Sequence, residues 1–403
     1  MQRLPVFIAA LCAGVALGRS GAAEAVRPQA GNYPIVDTGQ TDCFSEAGEQ
    51  IACSRTGQDG EYVRNPPQYQ LQGEYGVLDK VTNLEWARAP LTGVTFAEAE
   101  DIARASRLGG HDDWRVPTVK ELYSLIDFRG GYTGDPATSR PYIDPVFAFR
   151  YGQGKGLGEA SAGRRPIDVQ EWSATRYAGL TMGRDATAFG VNFADGRIKG
   201  YPLKDPLMQM RTDNRLNLRL VRGPRNYGVN DFHPSGEVVV DTATGLVWQR
   251  RAAEPLMSWA SALGYCEGLV LDGRSDWRLP NAKELQSIVD YSRIPALPPV
   301  FGKERSDAYF WTSTTHLESA PEAAHETRWR RGGLAVYVAF GPALGYMDSP
   351  PGSGRLALLD VHGAGSQRSD PKRGNPGDFA YGLGPQGDDV RLRNAVRCVA
   401  DLR

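Results

Sequence analysis

The sequence predicts an α+β fold arranged as two tandem compact copies of one domain, and three observations carry that prediction. A ten-residue pattern, Asp-Trp-Arg-x-Pro-x-x-Lys-Glu-Leu, begins at Asp113 and again at Asp276. Flanking segments recur in the same order around both occurrences. Each occurrence joins helix-start chemistry to short strands rich in Val, Phe and Tyr, separated by long Gly/Pro loops.

The repeat is gapless from Trp114 to Asp127 against Trp277 to Asp290, with a constant offset of 163. Upstream, Val77-Leu-Asp79 and Trp86 answer Val240-Asp241 and Trp248, and Thr95-Phe-Ala answers Ser258-Trp-Ala. Downstream, Glu171-Trp172-Ser-Ala-Thr175 answers Phe310-Trp311-Thr-Ser-Thr314, and Asn217-Leu-Arg219-Leu-Val221 answers Ala395-Val-Arg397-Cys-Val399. Fixed order with variable loop lengths is the mark of a duplicated domain, not of a short-period solenoid.

Within each copy a strand is expected to end near Trp86 or Trp248. A helix follows from Thr95 or Ser258, whose hydroxyls suit an N-cap. A second helix starts after the Asp-Trp-Arg-x-Pro turn, where Thr118-Val-Lys-Glu121 is a capping box and Asn281-Ala-Lys-Glu284 its variant. Leu122, Leu125 and Ile126, like Leu285, Ile288 and Val289, fall at helical spacing and predict a buried stripe. The expected divisions are a signal peptide over 1–25, a Cys-loop segment over 26–70, and the two copies over 71–224 and 225–403.

Export is read from the N-terminus. Arg3 precedes an apolar run of 14 residues, Leu4 to Leu17, with small residues after it. That is short for a membrane span of about 20 residues and fits a cleaved signal. No later stretch is long and apolar enough to predict a span in the mature chain, so a periplasmic, secreted or cell-surface location is expected. With the signal removed, 44 basic side chains face 46 acidic ones. That balance argues against nucleic acid as a partner.

Four cysteines remain after Cys12, and in an exported chain they predict disulfides before metals. Cys266 and Cys398 both lie in the second copy, and their first-copy equivalents are Ala103 and Leu220. Joint absence fits partners in one bond, which leaves Cys43 to pair with Cys53. Zinc is the weaker alternative, since no C-x-x-C pairs or adjacent histidines occur.

The doubled motif carries Trp114, Arg115, Pro117 and Glu121, and Trp277, Arg278, Pro280 and Glu284. These residue types resemble an active site, but a structural account covers them: an indole for the core, an Arg–carboxylate pair, a proline before the helix and a capping glutamate. The five histidines do not repeat, and H-E-x-x-H, G-x-S-x-G and phosphate-binding glycine loops are absent. No catalytic residue and no resident cofactor or metal is therefore assigned. Asp112, Asp113, Asp272 and Asp276 are the oxygen ligands that a calcium ion would use, without EF-hand spacing. Arg328, Trp329, Arg330 and Arg331 form a basic aromatic cluster suited to sugars or anionic groups.

Asp241-Thr-Ala-Thr-Gly-Leu-Val-Trp248, Trp259-Ala-Ser-Ala, Asp276-Trp-Arg-Leu-Pro-Asn-Ala-Lys-Glu-Leu285, Phe310-Trp-Thr-Ser-Thr314 and Val396-Arg-Cys-Val399 resemble the Lcl C-terminal domain family, named for a bacterial collagen-like adhesin. The first copy resembles it too, with Thr82-Asn-Leu-Glu in place of the Thr-Gly-Leu turn. The resemblance implies an exported protein with C-type-lectin-like domains, and an adhesin-like affinity for sulfated glycans. A collagen stalk is missing, since Gly384-Pro-Gln-Gly387 stands alone. The expected function is a non-catalytic binding or adhesion protein that takes a glycan or an envelope or surface protein. The alternatives are an enzyme on a formylglycine-generating-like scaffold and a structural subunit of an envelope assembly.

Overall fold

The computed structural model describes residues 33–152, 165–205, 212–303, 305, 307–319, 331–350, 352–382 and 387–402. The signal-peptide expectation over 1–25 lies outside these residues. Among them no helix is long and apolar enough to cross a membrane.

The two copies share one ten-stranded sheet. From one edge its order is Ala253–Met257, Asn394–Val396, Tyr309–His316, Leu334–Ala339 and Gln367–Pro371, then Arg197–Pro202, Asp185–Asn192, Glu171–Thr181, Arg215–Leu218 and Leu91–Thr95. The first five strands belong to the second copy. The last five are their first-copy counterparts in reverse order, so a pseudo-twofold axis runs through the middle of the sheet. There Gln367 pairs with Ile198 in an antiparallel contact. The parallel pairs also correspond: Asn217 lies opposite Glu171, and Ala395 opposite Phe310.

Two four-stranded sheets flank this one. One orders Val221–Arg222, Glu85–Ala87, Gly76–Asp79 and Tyr69–Gln72; the other orders Phe232–Ser235, Val238–Asp241, Leu246–Gln249 and Val399–Asp401. The copies diverge where a tight turn joins Asp185–Asn192 to Arg197–Pro202. Gly196 takes φ +65° there, and a Cβ would meet Tyr142 Cδ1 at 2.5 Å, so the turn closes only on glycine. At the same point the second copy inserts the hairpin Leu344–Asp348/Leu356–Asp360.

Four α-helices complete the fold among the described residues: α1 (Phe96–Ala105), α2 (Val119–Ser124), α3 (Trp259–Glu267) and α4 (Ala282–Ser287). Thr95 caps α1, Ser258 caps α3, and full capping boxes close on Thr118 and Asn281. Helices α2 and α4 lie on one face of the sheet, where Leu122, Ile126, Leu285 and Ile288 join Phe189, Ile198, Phe310 and Val336 in a single buried cluster. Alternate residues of the same strands face the other way, as a period of two requires. There α3 packs with Trp259, Trp277 and Tyr337, and α1 with Ala103, Trp114 and Trp172.

Two expectations are corrected. The fold is mainly β, with 34% strand and 13% helix, in place of an α+β, C-type-lectin-like unit with two helices defining each copy. Capping residues mark where a helix starts but not how far it runs, and α2 and α4 span only six residues each. The copies are also not separate compact bodies. Strands that would be open edges in isolation meet at Gln367 and Ile198, which protects part of each edge.

Both disulfides form as paired above. Cys43–Cys53 closes a small two-stranded loop, and Cys266–Cys398 ties α3 to the segment before Val399–Asp401.

Candidate functional site

The doubled motif builds the same clamp twice. The Glu121 carboxylate receives Arg115 Nη1 at 2.7 Å and Nη2 at 2.5 Å, and also the Thr118 N–H at 2.8 Å. Glu284 receives Arg278 Nη1 at 2.6 Å, Nη2 at 2.7 Å and the Asn281 N–H at 2.9 Å. One glutamate thus both caps the helix and holds the guanidinium in a two-bond fork. The Pro117 and Pro280 carbonyls accept from Ala174 N and Ser313 N at 2.8 and 2.9 Å. Trp114 and Trp277 are buried, and their indole N–H groups donate to Leu108 O and Leu271 O. All eight motif side chains are placed by these contacts and by packing. In both copies the carboxylate and the guanidinium fork are engaged with each other.

The motif lysines make contacts that sequence reasoning missed. Lys120 Nζ donates to Ser287 O at 2.6 Å, and Lys283 Nζ donates to Ser124 O at 2.8 Å. Each lysine therefore crosses the pseudo-axis to the last residue of the other copy's helix. Lys120 also binds Gly228 O and Asn230 Oδ1, and Lys283 binds Asp37 O. Burial pushes both ammonium groups down to about 8. The Tyr33 and Tyr227 rings meet nearby at 5.0 Å. The gap left between the lysines, about 10 Å³, holds no more than a water-sized group.

A second buried set lies at the sheet's join. Asp195 sits 3.2 Å from Lys199 Nζ and 3.4 Å from Arg197 Nη1, and Arg197 also pairs with Glu318. Burial raises the Asp195 carboxyl, but Lys199 and Arg197 outweigh it and hold it at about 2. His316 Nε2 donates to Asp195 O at 2.8 Å, and the ring stacks on Tyr142 at 5.1 Å. His362 contacts Asp388 at 2.8 Å, and Asp388 also pairs with Arg368. Burial, reinforced by Arg197 for His316 and by Arg368 for His362, brings both imidazoles down to about 4. Both rings are neutral at pH 7. Ser369 Oγ lies 3.5 Å from His316 Nδ1, at the outer limit of a hydrogen bond, and already contacts Arg197 Nη2 at 3.1 Å. Nucleophilic catalysis needs closer, freer geometry than this.

Arg219 and Arg397 form another pair of counterparts, both fully buried. Arg219 binds Glu171 through Nε at 3.0 Å and Nη2 at 2.8 Å. The second copy has Phe310 in place of Glu171, and the Arg397 guanidinium lies 5.6 Å from that ring and 4.6 Å from Phe301. The Phe310 ring thus stands where the first copy has the Glu171 carboxylate, while both arginines lie over a ring at the counterpart positions Phe147 and Phe301.

The two motif faces differ in what covers them. Over the second, Asp59 accepts from Thr314 Oγ1 at 2.5 Å, and Gln40 brackets the Thr315 backbone with two bonds of 2.9 Å. Tyr62 lies over the Arg278 guanidinium at 5.6 Å, and its hydroxyl donates to Glu267 at 2.7 Å. The chain's own Cys-loop segment thus fills this face. Among the described residues the first face is left open, as a concavity of about 490 Å³ whose walls include Glu100, Arg104, Asp112, Trp114, Arg115, Thr118 and Arg225.

The remaining sequence candidates do not assemble. Arg328, Trp329 and Arg330 lie outside the described residues, and Arg331 is exposed. Asp113 binds Arg222 and Asp276 binds Arg274, while Asp112 and Asp272 stand apart from them in exposed turns. Among the described residues no three His, Cys, Asp or Glu side chains gather as a metal site.

No curated protein and no solved structure matches this chain. The family model of the Lcl C-terminal domain matches residues 75–222 and again 237–354. The second match stops before Asn394–Val396, although that strand holds the same place beside Tyr309–His316 that Arg215–Leu218 holds beside Glu171–Thr181. The chain belongs to the Lcl C-terminal domain family and carries two tandem copies of its domain.

Proposed function

We propose that this chain is an exported, non-catalytic binding or adhesion protein that recognises a glycan or a surface protein at the cell envelope. One observation carries the reading. In both copies the side chains with the most chemical potential, Arg115 with Glu121 and Arg278 with Glu284, are spent on framework contacts. Exposed positions also differ between the copies, as Arg104 does from Glu267, and such positions are where a rigid frame displays a binding surface. Two disulfides support an oxidising compartment.

The test is a glycan array probed with the purified mature protein, with and without calcium and at two salt concentrations. Saturable binding of at least one glycan class, weaker at high salt for an anionic one, is the expected result. An array blank in every condition removes the glycan form of the reading and leaves only a protein partner.

A further inference from the structure

We propose that residues 39–64, which cover the second motif face, form a strap that detaches as pH rises, with the Asp59 carboxyl as its latch. Detached, the strap leaves the second copy with a face open like that of the first. The gate stands on its own residues, and only what the uncovered face binds rests on the binding reading above.

The strap is held mainly by polar contacts. Between Thr41 and Arg64 only Cys43, Phe44 and residues 57–59 are buried. Asp59, 1% exposed, accepts from Thr38 Oγ1 at 2.8 Å and from Thr314 Oγ1 at 2.5 Å, both at Oδ2. Its Oδ1 is enclosed as well and has no partner. Around it stand Asp37 at the strap's base, Arg278, Lys283 and Glu284 of the second motif, and Tyr123 of α2. Neither cation bonds to it, since Arg278 forks onto Glu284 and Lys283 donates to the Asp37 and Ser124 carbonyls. A carboxyl enclosed in this way, with hydroxyl donors and no cation, keeps its proton. Burial first, and the Asp37 charge second, raise it to about 8.

Once the strap lifts, Asp59 meets water and returns to the ordinary carboxylate range, near ~4. From there up to 8 the closed strap holds a proton that the open strap gives up. Closure therefore weakens by up to about tenfold with each unit of pH, and the latch is lost above 8. Asp37, also raised by burial, acts in the same direction. Lys372 acts against both, since burial lowers its ammonium, which donates to Phe44 O and Thr315 Oγ1. The first copy shows that the frame holds without a cover. Thr175 accepts from Val119 N at 3.0 Å as Thr314 accepts from Ala282 N at 2.9 Å, and among the described residues no carboxylate lies on Thr175.

The experiment is hydrogen–deuterium exchange of the intact mature protein from pH 5 to 8, with each rate divided by the intrinsic rate at that pH. The probes are residues 41–62 and the Thr315 amide, which donates to Gln40 Oε1 at 2.9 Å. Their protection should fall by about tenfold or more in the wild type, while the strands Asp185–Asn192 and Leu334–Ala339 keep theirs. Asp59→Asn retains an acceptor for both hydroxyls but cannot titrate, and its protection should fall by less than half as much on a logarithmic scale. Flat protection in the wild type, a loss that the strands share in step, or an equal slope in Asp59→Asn overturns the proposal. The first two outcomes are read on the wild type, so they decide even where the variant folds poorly. The experiment contains no ligand. A blank glycan array removes the glycan reading and leaves the gate, whereas flat protection removes the gate and leaves that reading.

Discussion

Lys120 and Lys283 occupy one position in the two copies, and each donates its ammonium to the end of the other copy's helix, at Ser287 O and Ser124 O. The last carbonyls of a helix lack intrahelical partners and sit at its negative end, so a cation is well placed there. The exchange puts two positive charges at the pseudo-axis with backbone carbonyls as the main acceptors. It joins the copies through side chains, as Gln367 and Ile198 join them through the sheet.

The lysines make stability depend on alkaline pH. Lys283 is 2% exposed, and burial lowers its pKa to about 8 from an ordinary 10.5. Above 8 the unfolded chain binds more protons than the folded one, so this group's contribution rises with pH and is complete above 10.5. Lys120 acts in the same direction but is only half-buried, so its share is smaller. Urea midpoints should rise between pH 8 and 10 in the wild type and rise less in Lys283→Met. That variant should also lose about 1–3 kcal/mol at pH 7 through its unpaired carbonyls. Equal slopes for the two proteins would contradict this account.

Local features were legible in the sequence because their partners are close along the chain. Thr118 and Glu121, or Asn281 and Glu284, complete a cap within one turn, and both boxes are present. The fused sheet was not legible. Its joining strands carry Arg197, Lys199 and Arg368, residues that usually mark a solvated edge. Here they are buried against Asp195, in the turn just before Arg197, and against Glu318 and Asp388 from elsewhere in the chain. The burial of Lys283 was not legible either, since a charge in the first turn of a helix usually faces water. The open face beside Arg115 was also hidden, because what sets it apart is the Cys-loop segment lying on the other copy.

A core cluster that both copies share predicts a single unfolding transition. Glu121→Gln in the first copy and Glu284→Gln in the second each weaken a buried fork, at a cost of about 3–5 kcal/mol for an unmatched buried charge. Both variants should shift one common transition, monitored by tryptophan fluorescence and by circular dichroism. Two resolved transitions, with each variant moving only one, would show that the copies unfold independently.

The two disulfides should differ in reach. Cys266 and Cys398 are separated by 132 residues, and Cys43 and Cys53 by 10. On the chain-entropy model their loss costs about 5 and about 2–3 kcal/mol respectively. The Cys266→Ala/Cys398→Ala pair should lower the melting temperature of the whole chain. Cys43→Ala/Cys53→Ala should chiefly loosen the segment over the second motif face, seen as faster proteolysis near Arg55 and Arg64. A larger melting shift from the short loop would reverse this order.

Acid should act through the two buried histidines. Both are held at about 4, below the ordinary 6.5, by burial and by the neighbouring Arg197 or Arg368. Between these values the unfolded chain takes up protons that the folded chain refuses. Their contribution is therefore complete above 6.5 and is lost as pH falls through 4. Asp195 stays ionised over most of this window, since it is held at about 2, and the decline is carried by the imidazoles together with any carboxylates that titrate alongside them. His316→Gln keeps a polar group near Asp195 O but cannot titrate. Its urea midpoint should fall less than that of the wild type between pH 6.5 and 4.5, with His362→Gln showing the same change. If both variants follow the wild-type curve, the acid sensitivity of the fold lies with its carboxylates and not with the imidazoles at the join.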